Sequence, residues 1–234
     1  MKKIFPIICL ASVLPALIWY FKSPSVPAPD LERGAPIRNA LAQAREITIV
    51  ALGDSITAGT NAPYSYVQKV EERLEAAYPG SEVRAINAGA PGDTAEGGLR
   101  RIRRDAIAHD PDLVLIEFGW NDLRNGVPED RFEDALREMV ATLRLETKAI
   151  VYLMTTTHVA VAGSAWKVGP RNKLIRQLAN DLDCGSIDLD THFKAAIKKG
   201  VPLRELMSAD GIHPSAKGQD LIAETVMREL IPPD

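Results

Sequence analysis

The sequence predicts an α/β fold, a flavodoxin-like three-layer α/β/α sandwich around a parallel five-stranded sheet of order 2-1-3-4-5. Three observations lead there. Five short apolar runs recur after residue 46: "ITIVAL", "EVRAIN", "DLVLIEF", "AIVYLM" and "GSIDL". Amphipathic stretches with helical spacing separate them, and alternation of strand and helix implies a parallel sheet covered on both faces. The runs are nearly continuous in apolar residues, as strands buried on two sides require. Right-handed crossovers leave few topologies, of which 2-1-3-4-5 leads.

The first segment opens with Lys2 and Lys3 and continues from Ile4 to Phe21 without a charge. Its 18 residues just suffice to span a bilayer and exceed a usual signal-peptide core, so residues 1–21 read as an uncleaved anchor or a cleaved signal peptide. Trp19, Tyr20 and Phe21 suit a membrane interface. Either reading exports the remainder, to a periplasmic or extracellular location, with membrane contact through this segment alone. Residues 22–45, rich in proline and small residues around "KSPSVPAPD", read as a linker. Residues 46–234 form the predicted catalytic domain. Strand 1 follows at "ITIVAL"; next comes a helix with Val67, Val70, Leu74 and Ala77 at helical spacing. Strand 2 precedes a helix carrying "LRRIRR", read as a solvated face with Leu99, Ile102 and Ala106 turned inward. Strands 3, 4 and 5 alternate with further helices. The closing helix in "SAKGQDLIAETVMREL" sets Leu221, Ile222, Val226 and Leu230 on one side.

The chain has 234 residues, 46% of them hydrophobic, and a net charge of −3. That length allows one well-packed domain, and the acidic balance argues against a nucleic-acid partner. Of the two cysteines, Cys9 lies in the apolar N-terminus and Cys184 reads as a small core or near-surface residue, so no disulfide is expected within the domain. No His/Cys cluster suggests zinc and no Gly-x-Gly-x-x-Gly follows a strand, so no cofactor is expected.

Sheets of this order bind ligands beyond the carboxyl ends of the strands, where strand order reverses. There strand 1 ends at "GDSIT" and presents Ser55, strand 2 at "NAGAPGDTA" with Gly89 and Gly92, and strand 3 at "FGWND" with Asn121. Near the C-terminus "ADGIHPSAKG" supplies Asp210 and His213. The chemistry these residue types serve together is acyl transfer. A serine hydroxyl needs a base, and histidine suits that role. An acid one turn earlier holds the imidazole tautomer. The N–H groups of Ser55 and Gly92 and the Asn121 amide would receive the charge of the tetrahedral intermediate. Taken singly, each block reads as a turn, a cap or a helix start. Four independent turns have no reason to place Ser, Gly, Asn and Asp-x-x-His in this order at strand ends.

The blocks "GDSIT", "NAGAPGDT", "GWND" and "DGIHP" resemble those of the SGNH (GDSL) hydrolase family, within it the thioesterase/lysophospholipase and arylesterase group. The resemblance covers nearly all of residues 47–231. It implies Ser55 as nucleophile, Asp210 as orienting acid, His213 as base, and Ser55, Gly92 and Asn121 as the oxyanion hole, on a three-layer fold without a metal. Gly92 is preferred to Gly89 as the glycine of the "GDT" triplet. Trp120 stands where this group often has a second glycine, and its indole would narrow or line the pocket.

Other residues are weaker candidates. His158 and Trp166, in the small-residue stretch "TTTHVAVAGSAW" after strand 4, could touch substrate, and that stretch reads as a mobile cover. His109 and His192 read as structural, and Asp54 as the residue that fixes the turn aiming Ser55. The expected function is a serine esterase for small-molecule or lipid carboxylic esters or thioesters. The alternatives are a cell-envelope polysaccharide O-acetyl esterase or acyltransferase, and an inactive binding module, which would have to lack one of the five residues.

Overall fold

The computed structural model describes residues 26–159, 161 and 165–231. The expected anchor or signal segment, residues 1–21, lies outside them. Among the described residues no helix is long and apolar enough to cross a membrane.

The five strands are β1 (Ile47–Gly53), β2 (Val83–Gly89), β3 (Leu113–Glu117), β4 (Ile150–Met154) and β5 (Gly185–Ile187). They pair in parallel in the order β2-β1-β3-β4-β5, the predicted sheet. Every residue of β1 and β3 is buried, which is why both runs are apolar but for Thr48 and Glu117. Pleating sends Ile47, Ile49 and Ala51 to one face and Val50 and Leu52 to the other, and the two sets join separate cores.

The first core is closed by α1 (Leu31–Ala42), α3 (Tyr66–Ala77), α8 (Leu189–Lys198) and α10 (Ala216–Leu230). The second is closed by α4 (Ala95–Asp105), α6 (Glu129–Glu146) and α7 (Ala165–Asp181). Three shorter helices, α2 (Ser55–Ala58), α5 (Trp120–Arg124) and α9 (Leu203–Leu206), leave or approach the carboxyl edge of the sheet. Side-chain caps start four of the longer helices: Ser65 on Gln68, Thr94 on Gly97, Asp188 on Thr191 and Ser215 on Gly218. Each contributes about 1 kcal/mol.

Three expectations need correction. Residues 31–42, read as linker, form α1, capped by Asp30. Ile37, Ala40 and Leu41 enter the core, and the proline-rich composition masked their i, i+3, i+4 spacing. Arg38 seals the contact by donating to the Leu230 carbonyl at 3.0 Å. The arginines of α4 do not all face solvent. Arg100, Arg103 and Arg104 are exposed, but Arg101 turns inward to Asp93 and to the carbonyls of Gly53 and Ala88. The stretch after β4 is not a loose cover at its start. Thr155, Thr156 and Thr157 are fully buried, and the Thr156 backbone is held through both N–H and C=O by the Asn172 amide.

Candidate active site

The chain must turn sharply out of β1 to present a serine. Gly53 permits it: a Cβ there would meet Thr57 Oγ1 at 2.2 Å and the Glu117 carbonyl at 2.8 Å. Asp54 then caps α2, accepting from Ile56 N at 2.9 Å through Oδ1. Ser55 follows as the first residue of α2 and is almost wholly buried. Gly89 of β2 packs behind it, where a Cβ would lie 2.2 Å from Ala58 N. That glycine is a packing requirement of α2.

His213 arrives from the far end of the chain on the loop between α9 and α10. A bridge of Met207 to Pro214 and a bond from Ser208 N to the His213 carbonyl, 2.8 Å, clasp this loop. His213 Nε2 lies 2.9 Å from Ser55 Oγ, and Nδ1 lies 2.5 Å from Asp210 Oδ2. An ionised carboxylate only accepts, so Nδ1 carries the proton and Nε2 faces the hydroxyl as acceptor. Asp210 Oδ1 also accepts from Ser208 Oγ at 2.7 Å, Ile212 N at 2.8 Å and His213 N at 3.0 Å. Partial burial opposes its charge, but the bonds from His213, Ile212 and Ser208 outweigh this and hold its carboxyl well below the usual range.

The third group of atoms surrounds Asn121, buried in the first turn of α5. Its Nδ2 donates to Asp54 Oδ2 at 3.0 Å and to the Asp93 carbonyl at 2.9 Å. The amide therefore ties the β1 turn to the β2 loop. Gly92, directly before Asp93, has φ +82 with open space where a Cβ would stand. Neither the Ser55 N–H nor the Gly92 N–H makes a hydrogen bond within the described residues. Arg101 pins this corner from below, binding Asp93 at 2.7 Å and the Gly53 carbonyl at 2.8 Å.

Trp120 is buried in a small apolar cluster with Val159 and Val168, against which Leu123, Val161 and Ile212 pack. Ile212 directly precedes His213 in the chain, so this cluster packs against the loop that carries the imidazole. His158 is drawn to Asp190, with Nδ1 3.7 Å from Oδ1, and no hydrogen bond joins it to Ser55, Asp210 or His213. Trp166 falls in the first turn of α7; its side chain lies outside the described residues. His109 contacts Arg84. Half-buried His192 is held low by burial and by Arg228. Cys184 is a buried free thiol, pushed up by burial. Among the described residues no group of His, Cys, Asp and Glu is arranged to hold a metal ion.

Sequence reasoning missed two neighbours of these groups. Asn61, in the left-handed region at φ 64, donates to Asp210 Oδ2 at 2.9 Å. Its only sequence signal is an asparagine in a turn. Glu117 closes β3, is fully buried, and accepts from Thr57 Oγ1 at 3.3 Å through Oε2. An acid inside an otherwise apolar run was a visible signal.

Residues 51–221 match the GDSL-like Lipase/Acylhydrolase family. The chain is 30% identical over 193 residues to Esterase TesA of Pseudomonas aeruginosa, covering 81% of this chain and 90% of that one. It is 30% identical over 205 residues to an Arylesterase of Vibrio mimicus, covering 82% and 92%. The crystal structure of Axe2, an acetylxylan esterase from Geobacillus stearothermophilus, superposes with a TM-score of 0.69 at 25% identity, covering 79% of this chain and 94% of that one.

Proposed function

The chain belongs to the GDSL-like lipase/acylhydrolase family, and from that premise we propose that it is a carboxylic ester hydrolase working through an acyl-serine on Ser55. One observation carries the reading: the unbroken line Ser55 Oγ to His213 Nε2 at 2.9 Å and His213 Nδ1 to Asp210 Oδ2 at 2.5 Å. His213 Nε2 takes the hydroxyl proton as Oγ bonds to the ester carbonyl carbon, and Asp210 faces the resulting imidazolium. Negative charge on the former carbonyl oxygen is met by the Ser55 and Gly92 N–H groups and by Asn121 Nδ2. The Asn121 N–H now directed at the Asp93 carbonyl is the one that re-aims. Protonated His213 gives its proton to the leaving alcohol or thiol. Water, deprotonated by His213, then attacks the acyl carbon and restores Ser55. A fluorophosphonate should label Ser55 and no other residue; an unlabelled Ser55 in the folded protein would contradict the nucleophile assignment.

Trp120, with Val159, Val168 and Ile212, supplies an apolar cluster against the loop that carries His213, suited to an acyl or aryl group. The likeness to an acetylxylan esterase favours a second reading in which the ester is an acetyl group on a polysaccharide hydroxyl, removed to water or passed to another hydroxyl. Product analysis with water and alcohol acceptors separates the two. The positively charged start and uncharged apolar run of residues 1–21 support export, with the catalytic domain outside the cytoplasm, tethered or released. Fractionation of expressing cells, with N-terminal sequencing of the recovered protein, tests both halves of that reading.

A further inference from the structure

Glu117 has no role in the acyl-transfer steps above, yet it sits directly beneath them. Its backbone pairs with Gly53 in the β1–β3 ladder, and its side chain is fully buried. Burying a carboxyl without a partner is costly, so its surroundings should show what compensates. Thr57 gives its hydroxyl to Oε2, while Oε1 receives no N–H or hydroxyl. The Asp54 carboxyl lies within hydrogen-bond reach. Other titratable groups facing this pair are Asp122 of α5, Tyr66 of α3, whose hydroxyl stands 3.3 Å from Thr57 Oγ1, and His213 toward Asp54. Neither carboxyl has an arginine or lysine ion-pair partner among the described residues.

Two touching carboxyl groups in such a place cannot both be ionised; a shared proton removes both the repulsion and the unmet lone pair. The donors decide who holds it. Asp54 receives Ile56 N at 2.9 Å and Asn121 Nδ2 at 3.0 Å, whereas Glu117 receives one hydroxyl. The donor-rich carboxyl is the anion and the donor-poor one the acid. We infer that Glu117 is a neutral carboxylic acid that donates its O–H to the Asp54 carboxylate, and that this bond fixes the aim of the Asn121 amide through Asp54. Glu117 is thus a positioning residue two hydrogen bonds away from the Asn121 amide. Burial, followed by the Asp54 charge, pushes the Glu117 carboxyl well up, in keeping with this assignment; burial also raises Asp54, to about 6.

The inference rests on the esterase reading for its effect on catalysis, but not for the protonation itself, and the experiment separates them. Glu117→Leu removes the donor at similar volume; Glu117→Gln keeps an N–H that can reach Asp54. On p-nitrophenyl acetate at pH 7, Glu117→Leu should lose about tenfold in kcat with KM little changed, an order of magnitude short of removing an oxyanion donor outright. Glu117→Gln should recover most of that loss. Equal losses in both variants, or a Leu variant within twofold of wild type, would overturn the positioning role. Should the Leu variant not fold, infrared difference spectroscopy of wild type minus Glu117→Gln at pH 7 decides. The C=O stretch of an un-ionised carboxylic acid is expected in wild type alone, and its absence overturns the neutral Glu117 even if the enzyme is fully active. A wild type inert toward all esters but showing that band would sink the esterase reading and leave the protonation standing.

Discussion

Replacing Asn121 with alanine withdraws one nitrogen that does two jobs. In the resting protein Nδ2 bonds Asp54 Oδ2 at 3.0 Å and the Asp93 carbonyl at 2.9 Å, and in the proposed mechanism one of these N–H groups turns to the oxyanion. The catalytic loss follows from the second job: an oxyanion donor is worth about 2.7–4 kcal/mol, or about 10²–10³ in kcat. The first job adds a stability cost, because Asp54 and the Asp93 carbonyl lose a donor where little water reaches. Leaving such acceptors unmet costs about 1–3 kcal/mol. For a domain of this size that corresponds to a fall in Tm of about 2–12 °C. Initial rates on p-nitrophenyl acetate across a concentration series, with a melting curve on the same preparation, read both numbers. The reasoning requires kcat and kcat/KM to fall together, since the interaction is made in the transition state. A variant with kcat within threefold of wild type, or one whose loss lies wholly in KM, would refute it.

Asn61→Gly keeps a residue at ease in the left-handed region while removing the donor to Asp210 Oδ2. With one donor fewer on the carboxylate that holds the imidazole, kcat/KM on p-nitrophenyl acetate should fall severalfold with the melting curve nearly unchanged; an unchanged kcat/KM would exclude a supporting role for Asn61. Gly89→Ala drives a Cβ to 2.2 Å from Ala58 N and should cost about 1–3 kcal/mol in urea unfolding, with activity lowered because α2 carries Ser55. Asp54 and Glu117 are both pushed up by burial. The folded protein therefore holds protons that the unfolded chain has released, and stability from this pair falls as pH rises from the ordinary carboxylate range through the raised values. Melting curves between pH 4 and pH 8 should show a shallower decline for Glu117→Gln than for wild type; parallel curves would exclude Glu117 as a source.

The sheet was legible because its chemistry is local and repetitive. Strands such as Ile47–Gly53, covered on both sides, carry few polar side chains, so they announce themselves as apolar runs. Helix α1 was not, because Pro36 and its proline-rich approach look like linker while the three residues that dock it are spread among polar ones. Ser55 and Asn121 stood out as candidates because they follow β1 and β3 at the carboxyl edge, and Asp210 and His213 because an acid and an imidazole stand three residues apart. The supporting residues depend on contacts between distant segments: Arg101 on the loop carrying Asp93, Asn61 on a partner 149 residues later. Nothing within a few positions of either betrays the pairing. Glu117 was the exception, a charge in a place that tolerates none, and its meaning appeared only with Asp54 alongside.

The serine and the imidazole that meet at 2.9 Å are 158 residues apart in the chain, and the clasped loop bearing the imidazole is held by α10, which docks on α1 and α3. Under the proposed mechanism, a ribosome making this protein releases the serine long before the imidazole that would deprotonate it, and esterase competence arrives only once α10 has emerged and packed.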